Sequence, residues 1–173
     1  MSGDFNLDPR KIQELRCRPY ADVIYRKVFG DAISIIRDGD LVLDKEFAID
    51  VRIILKNGMN LLGQEKFLSK KYAGFGSVTV EYYQNQWTKE RGDWFRMGVQ
   101  LYFVGYEADE GFRPFVLLDW ARVTIDSCRD VIHWIHNTNN DGRARASFAY
   151  TPIRDLPSDC IIITNYEFPE VAE

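Results

Sequence analysis

The stretch Ala48–Ser69, AIDVRIILKNGMNLLGQEKFLS, predicts two apolar β-strands joined by a tight turn. Its Asn57-Gly58 pair lies between two apolar runs, which is the strongest short-range signal for a β-hairpin. The second strand ends in the polar triplet Gln64-Glu65-Lys66, at a point where a buried strand is normally still apolar. Because residues two apart share one face of a strand, Gln64 and Lys66 are predicted to point together, and Glu65 to point away.

The first strand of this predicted hairpin carries one acid, Asp50. If the two strands pair, its carboxylate comes close to the Gln64 carboxamide and the Lys66 ammonium. Such polar groups are costly to bury together without a further partner. The cluster therefore predicts a metal and reaction centre where the two strands meet.

Asp50, the glycine turn and Gln64-x-Lys66 together resemble the PD-(D/E)XK nuclease superfamily, and more narrowly the Gln-x-Lys variant of Mrr-like restriction enzymes. The triplet usually begins with Glu or Asp, and the residue before the first acid, here Ile49, is usually Pro. The resemblance is strong over the first third of the chain and looser in the middle. It implies an α/β fold with a restriction-endonuclease-like core, in which helices flank a central mixed β-sheet.

The resemblance also implies a function, a metal-dependent nuclease that hydrolyses DNA phosphodiester bonds, acting as an endonuclease with Mg²⁺ or Mn²⁺. Asp50 would be the main metal ligand, joined by the side-chain oxygen of Gln64 and the backbone carbonyl of Glu65. Lys66 would orient the attacking water or stabilise developing negative charge. Hard oxygen ligands of this kind suit Mg²⁺.

Because Gln64 is neutral, a further carboxylate is expected to assist the metal. Asp22 and, less directly, Glu14 lie on the predicted first helix, and Glu81 lies in a later strand. Each also has an ordinary interpretation: Asp22 as the partner of Arg26 in a surface ion pair, and Glu81 as an outward-facing acid near Lys70. Two further acids, Asp44 and Glu46, are expected to be solvated charges where the first strand begins.

Four basic residues are predicted to contact DNA phosphates, Lys70 and Lys71 after the triplet strand and Arg143 and Arg145 after a polar loop. Phosphate contacts supply much of the affinity for DNA. The alternative for the two arginines is a solvated, charged start of a strand. His133-x-x-His136 with Cys128 suggests a zinc site only weakly, because a structural zinc site usually has four ligands.

The composition is that of a globular protein of 173 residues with a formal net charge of −4. This length predicts one nuclease-like domain over residues 1–173, with a loose N-terminus at 1–7. The acidic balance argues against a general nucleic-acid coat protein but allows a local basic surface. Three widely spaced cysteines, the lack of a long apolar run and the lack of a signal-peptide pattern predict a cytoplasmic protein without a membrane partner, including a phage protein acting in its host.

The remaining pattern predicts the order of the elements. A helix begins at Asp8-Pro9, is interrupted by Pro19 and resumes from Tyr20 to Phe29, with Tyr20, Val23, Ile24 and Val28 on its buried face. Residues 93–106 fit either a helix or, by strict alternation, a strand; the nuclease resemblance favours the helix. A further helix is predicted at Asp126–His136, and strands at Phe115–Leu118, Phe148–Ile153 and Cys160–Thr164.

Two other functions remain open at this point. A nuclease-fold protein without catalysis would bind nucleic acid or a protein partner through the same face. An ordinary structural or interaction protein would use Gln64-Glu65-Lys66 only as a solvated strand end. If both strands of a DNA duplex are cut, a two-fold homodimer is the natural expectation.

Overall fold

The computed structural model describes residues 8–37, 46–138 and 146–167. Within these ranges the chain is a mixed α/β protein whose central mixed sheet is flanked by helices, as the sequence predicts. The six-stranded sheet has the order β1-β2-β3-β6-β7-β10, and a four-stranded antiparallel sheet has the order β5-β4-β9-β8. In the described part of the chain, no helix combines the length and the apolar character that crossing a membrane would need.

The elements follow one another along the chain with short connections. Helices are α1 (Pro9–Phe29), α2 (Asp93–Arg96) and α3 (Trp120–Cys128), with 3₁₀ turns at Lys70–Phe75, Ile153–Asp155 and Ser158–Cys160. The strands of the first half are β1 (Ser34–Ile36), β2 (Val51–Ile54), β3 (Asn60–Leu68), β4 (Ser77–Asn85) and β5 (Glu90–Arg91). Those of the second half are β6 (Leu101–Glu107), β7 (Phe112–Asp119), β8 (Ile135–Thr138), β9 (Ser147–Pro152) and β10 (Ile161–Thr164).

Helix α1 is continuous, so the predicted interruption at Pro19 is wrong. Asp8 caps its start by accepting a hydrogen bond from the Arg10 N–H at 3.0 Å, and Gly30 ends it with a φ of 88°. Pro19 lies on the exposed side, where water can satisfy the carbonyl that loses its intrahelical donor.

The buried face of α1 differs from the prediction in part, because Ile24 and Val28 pack against the core as predicted but the other two residues do not. Cys17, Ala21 and Tyr25, four residues apart, face the sheet, whereas Tyr20 and Val23 are exposed. The small side chains of Cys17 and Ala21 allow the helix to approach the sheet closely, and this packing decides the face.

The hairpin predicted at Asn57-Gly58 is present between β2 and β3. Gly58 has a φ of 83°, and the Asn57 side chain accepts a hydrogen bond from the Met59 N–H at 3.0 Å. The antiparallel register places Val51 opposite Gly63. On its other side β3 pairs in parallel with β6, with Gln64 next to Tyr102.

A parallel pair requires a crossover between its strands. Here residues 69–100 make this crossover through β4, β5 and the short α2. The helix favoured over 93–106 is therefore wrong beyond Arg96, and the alternating pattern correctly predicts strand β6. Residues Leu101–Tyr106 are all buried because β6 lies in the middle of the sheet, covered on both faces.

The core has two parts on opposite faces of the central sheet. One lies between α1 and the sheet and contains Tyr25, Ile53 and Phe103; the other lies between the sheet and the layer formed by the four-stranded sheet and α3, and contains Val80, Val104 and Val123. The alternating residues of β6 supply both parts, since successive side chains point to opposite faces. The central sheet is thus covered by α1 on one face and by the four-stranded sheet and α3 on the other.

The last predicted helix, Asp126–His136, is shifted in the structure. Helix α3 begins six residues earlier, where Asp119 accepts a hydrogen bond from the Arg122 N–H at 3.1 Å. It ends at Cys128, and Asp130 takes a φ of 57°, so that the chain turns into β8. The predicted strands Phe115–Leu118, Phe148–Ile153 and Cys160–Thr164 correspond to β7, β9 and β10.

Candidate functional site

A cleft of about 1210 Å³ opens at the end of β3 that carries the Gln64-Glu65-Lys66 triplet. Helix α1 contributes Arg10, Lys11 and Arg18 to its wall, and the second sheet contributes Glu81 and Phe148. Strand β2 begins only at Val51, so β3 extends beyond its neighbour and its edge faces the cleft. Asp50, Gln64 and Lys66 all line this cleft.

Asp50 lies one residue before β2 and is held by the backbone of β3. Its N–H donates to the Gly63 carbonyl at 2.9 Å, and its Oδ2 accepts a hydrogen bond from the Glu65 N–H at 2.9 Å. Continuing the register of Val51 and Gly63 by one residue places Asp50 opposite Gln64. Asp50 is therefore fixed against the triplet strand by two hydrogen bonds, one of which is made by its carboxylate.

Gln64 is buried, with 8% of the residue exposed. Its Oε1 accepts no hydrogen bond from any residue in ranges 8–37, 46–138 and 146–167. A buried acceptor without a donor costs about 1–3 kcal/mol. This oxygen, opposite the Asp50 carboxylate, is suited to a ligand that supplies positive charge or a donor.

The Glu65 side chain points away from Gln64 and Lys66, towards α1. Arg37 donates to its two carboxylate oxygens, at 2.8 Å each, and the Tyr25 hydroxyl donates at 3.1 Å. Arg37 also donates to Asp22 at 2.7 Å. Burial raises the pKa of Tyr25 well above its ordinary value, and the nearby Glu65 charge raises it further.

On the edge of β3 that faces Asp50, Glu65 presents only its backbone, because its side chain is bound to Arg37. In a strand, the N–H and C=O of one residue point to the same edge. Because the Glu65 N–H bonds to Asp50, its carbonyl faces the same edge of β3, beyond the start of β2. This position is compatible with the role predicted for that carbonyl as a metal ligand.

Lys66 reaches towards the second sheet, with its Nζ 5.6 Å from the centroid of the Phe148 ring. Its charge also lowers the pKa of Glu81, so the two side chains are electrostatic neighbours. Burial of Glu81 nevertheless raises the pKa of this carboxyl overall, helped by the Asp93 charge and opposed by Lys66, Arg96 and Arg10. The ammonium and this half-buried acid therefore lie on the same wall of the cleft.

The structure separates the acids proposed as auxiliary ligands. Glu81 lines the cleft, whereas Asp22 is bound to Arg37 and does not line it. Glu14 lines the cleft and lies 3.7 Å from Arg18. Glu46 is exposed, and Asp44 lies outside the described residues. Among the acids of this set that the structure describes, Glu81 is the one placed near Lys66.

The predicted DNA-contacting residues are also divided. Lys71 lines the cleft, but Lys70 pairs with Asp109 at 2.8 Å and lines a separate hollow beside α1. Lys70 therefore lies in a different hollow from the one that Asp50 and Lys66 line. Arg143 and Arg145 lie outside the described residues.

The cleft carries more basic than acidic side chains, although the whole chain is acidic. Its described lining has seven basic residues, Arg10, Lys11, Arg18, Arg37, Arg52, Lys66 and Lys71. The four acidic ones are Glu14, Asp50, Glu65 and Glu81. A locally basic cleft in an acidic protein attracts an anionic ligand.

Sequence reasoning missed the contribution of α1 to this cleft. Arg10, Glu14 and Arg18 are four residues apart, a spacing that places them on one helical face. The Nε–H of Arg18 is buried and donates to no acceptor among the residues that the structure describes. Tyr72 and Phe75, three apart in the 3₁₀ turn, were also missed, because no strand or helix pattern covers them.

A second group of possible metal ligands lies far from this cleft in sequence. Potential ligand atoms of Asp126, Asp159 and Cys160 lie within 4.8 Å of one another. Arg122 pairs with Asp159 and lies 3.7 Å from Asp126, so both carboxylates already face a cation. Burial and the hydrogen bond to Asp126 raise the pKa of Cys160 to about 12, which disfavours the thiolate that a metal would need.

The predicted histidine pair does not add ligands to that group. The His136 ring packs edge-on against Tyr82 at 4.5 Å, at the second sheet, and His133 and Cys128 are exposed.

Comparison with known proteins finds no matching family model, no matching curated protein and no matching solved structure. The function is therefore inferred from the cleft itself.

Proposed function

We propose that this protein is a metal-dependent nuclease that hydrolyses DNA phosphodiester bonds, acting as an endonuclease. The observation that carries the proposal is the buried Oε1 of Gln64, which has no hydrogen-bond partner among the described residues and lies opposite Asp50 in a basic cleft that Lys66 also lines. An oxygen-rich pocket beside a lysine and several arginines suits a divalent cation together with a phosphate. A solvated strand end would not leave this oxygen buried without a partner.

The residues present fit a hard divalent cation such as Mg²⁺ or Mn²⁺. Asp50 offers a carboxylate oxygen, Gln64 a carboxamide oxygen and Glu65 a backbone carbonyl, and Glu81 is the nearby acid that compensates for the neutral Gln64. Mg²⁺ commonly takes one or two carboxylates and completes its shell with water and phosphate oxygens. When bound, such an ion provides a water of lowered pKa and neutralises charge on the phosphate.

The protein side chains would divide the remaining work. Lys66 would hold the attacking water or stabilise the negative charge that develops on the phosphate oxygens. Arg18, whose buried Nε is an unpartnered donor in the described structure, would bind a phosphate oxygen. Arg10 and Lys11 would hold the flanking backbone of the DNA in the cleft.

The assignment to a restriction-endonuclease-like core belongs to the proposal as well. It is supported by the antiparallel run β1-β2-β3, the parallel partner β6 and the preceding helix α1. It departs from the expected core in one respect, because strands β4 and β5 and the short α2 replace the helix that should cross the sheet after the triplet strand.

Nicking of supercoiled plasmid DNA tests the proposal. We expect Mg²⁺- or Mn²⁺-dependent nicking that EDTA abolishes, and at least a ~100-fold loss of rate in Lys66→Ala. Lys70→Ala is the matched control, because Lys70 pairs with Asp109 outside the cleft, and it should retain the rate. Full activity in Lys66→Ala, or folded wild-type protein that never nicks DNA, would contradict the proposal.

Gln64→Leu sharpens the same experiment. Removing the unpartnered oxygen should raise the free energy of unfolding by about 1 kcal/mol, because no buried acceptor is left unsatisfied. Nicking at limiting Mg²⁺ should fall. A variant that is more stable but less active identifies Gln64 as a residue kept for ligand binding, whereas a variant with reduced stability and unchanged nicking identifies it as structural.

One observation favours a second function, DNA binding without cleavage. Gln64 is neutral, so the site has one carboxylate fewer than the usual nuclease triplet. Salt-sensitive binding of duplex DNA in EDTA, together with an absence of nicking at any Mg²⁺ or Mn²⁺ concentration, would select this function.

Sedimentation with and without DNA would test for the two-fold dimer expected of an enzyme that cuts both strands.

A further inference from the structure

The 3₁₀ turn Lys70–Phe75 exposes two aromatic rings beside the cleft. Phe75 is 72% exposed and Tyr72 is 44% exposed, and their ring centroids lie 6.4 Å apart at an interplanar angle of 30°. The Nζ of Lys71 lies over the Tyr72 ring, 4.7 Å from its centroid. We call Lys71, Tyr72 and Phe75 the aromatic platform.

The platform is held in place at its end by backbone constraints. Gly76, the residue after Phe75, has a φ of 48°, and a Cβ on it would lie 2.8 Å from Cε2 of Tyr166. The Gly76 carbonyl accepts a hydrogen bond from the Ile153 N–H at 2.9 Å. An anchored segment thus holds the Phe75 ring in solvent. An exposed ring of this size does not obtain the hydrophobic stabilisation that burial in the folded chain would give.

The platform lies next to the proposed reaction centre. The strand that carries Lys66 continues to Leu68 and leads directly into the turn, and all three platform residues line the same cleft as Asp50 and Lys66. At a rise of about 3.3 Å per residue, Ser69 lies roughly 10 Å along the strand from Lys66. This distance corresponds to one or two nucleotides of an extended DNA strand.

We propose that the platform binds an unpaired base of a single-stranded DNA segment, which stacks on the exposed Phe75 ring while Lys71 binds its phosphate. The occupant is inferred from charge and shape together. Aromatic rings beside basic side chains match the alternation of bases and phosphates in a single strand. In a continuous duplex the bases are already stacked on one another, so a duplex offers no free face to Phe75.

This inference rests on the proposed function for the substrate class and adds a preference within it. The protein should bind and cut DNA that has an unpaired segment, such as a single-stranded tail or gap next to a duplex, in preference to a blunt duplex. The unpaired base would lie on the Ser69 side of the scissile phosphate.

Fluorescence anisotropy in EDTA tests the platform without requiring cleavage. The probes are a labelled 15-nucleotide oligo-dT and a labelled blunt duplex of the same length. Phe75→Ala should weaken binding of oligo-dT by about 5- to 150-fold, which corresponds to the usual contribution of stacking one base. Its affinity for the blunt duplex should change less than twofold.

Three further variants separate stacking from simple contact. Phe75→Trp should keep the affinity for oligo-dT, because an aromatic face remains, whereas Phe75→Leu should lose it although it stays apolar. Trp87→Ala is the matched control: Trp87 is 57% exposed but does not line the cleft, so its removal should leave both affinities unchanged. All of these side chains are exposed, and thermal unfolding checks that the variants keep the fold.

The outcomes distinguish this inference from the proposed function. If Phe75→Ala binds oligo-dT as tightly as the wild type, the platform does not bind bases, and its rings are left as a surface for a protein partner. If Phe75→Ala loses affinity for oligo-dT but plasmid is never nicked, base binding by the platform is supported and the catalytic proposal is contradicted. If plasmid is nicked but Phe75→Ala leaves the affinity for oligo-dT unchanged, the platform proposal alone is contradicted.

Discussion

Glu65 and Arg37 form a buried ion pair behind the cleft. Only 3% of the Glu65 side chain and 10% of the Arg37 side chain are exposed. Glu65 lies between Gln64 and Lys66, so the pair fixes the strand that presents both side chains to the cleft. Burial lowers the pKa of Arg37, but hydrogen bonds and charge from Glu65 and Asp22 outweigh it and raise the pKa overall.

Removing one member of this pair should be costly. Arg37→Met leaves the buried Glu65 carboxylate with the Tyr25 hydroxyl as its only side-chain donor among the residues that the structure describes. We therefore expect a loss of about 3–5 kcal/mol in the free energy of unfolding. The double variant Arg37→Met/Glu65→Gln should recover more than 1 kcal/mol of this loss, since no charge remains buried. Urea unfolding measures both.

Arg16→Met provides the matched control for that measurement. Arg16 pairs with Glu107 at the surface and is 60% exposed, so its loss should cost no more than about 1 kcal/mol. An Arg37→Met variant as stable as Arg16→Met would show that the buried pair does not hold the strand.

At the scale of single elements, the hairpin between β2 and β3 depends on the backbone conformation of its turn. Gly58 has a φ of 83° and nothing within 4 Å of a Cβ built on it. Gly58→Ala should therefore cost about 1–2 kcal/mol through backbone strain alone. Gly74→Ala is the matched control, with the same open space but no positive φ, and its free energy of unfolding should stay close to that of the wild type.

Urea unfolding of the two glycine variants gives the comparison directly. Equal stabilities of Gly58→Ala and Gly74→Ala would mean that the turn tolerates a side chain and does not set the register. That register places Asp50 opposite Gln64, so a strained turn should also lower any activity of the cleft.

The elements that were predicted correctly from sequence are those with a local chemical signal. Asn57-Gly58 marks a turn that few other dipeptides make, and Asp8-Pro9 marks the start of α1. The alternation around the turn then predicts that Gln64 and Lys66 point together and Glu65 away. No local pattern, however, reveals that Arg37, 28 residues from Glu65, neutralises that carboxylate.

The elements that were predicted wrongly are those decided by tertiary packing. The buried stripe of α1 depends on which side chains let it approach the sheet, so its apolar Tyr20 and Val23 gave the wrong face. Strand β6 is covered on both faces, and its helical interpretation came from the expected crossover helix, which β4, β5 and α2 replace. The cleft wall from α1 and the platform at 71–75 become visible only when these distant segments are brought together.

At the scale of the whole molecule, each half of the core contains a cysteine thiol and a tyrosine hydroxyl that are buried and can lose a proton. Cys17 and Tyr25 lie on the face of α1 that packs against the central sheet, and Tyr102 and Cys160 lie on the opposite face of that sheet. Burial raises the pKa of Cys17 from 9.0 to about 11, and burial with the Asp126 hydrogen bond raises that of Cys160 to about 12. Burial also raises the pKa of both tyrosines.

These shifts predict a fold that weakens under alkaline conditions. In the unfolded chain the two thiols lose their protons as the pH rises through about 9, while in the folded protein they retain them. The unfolded state then binds fewer protons than the folded state, so the free energy of unfolding falls as pH rises. Between pH 9 and 10, the free energy of unfolding should fall by about 1 kcal/mol for each thiol.

Cysteine variants identify the groups responsible, with urea unfolding at pH 8, 9 and 10 as the measurement. Cys17→Ala and Cys160→Ala should each flatten the dependence on pH, whatever stability they lose at pH 8 through the missing sulfur. Cys128 is exposed, so Cys128→Ala should leave the slope unchanged. If the slope is the same in all three variants, the thiols do not cause it. If the slope flattens only in Cys17→Ala and Cys160→Ala, both halves of the core exclude the thiolate. This is expected of a central sheet that is covered on each face.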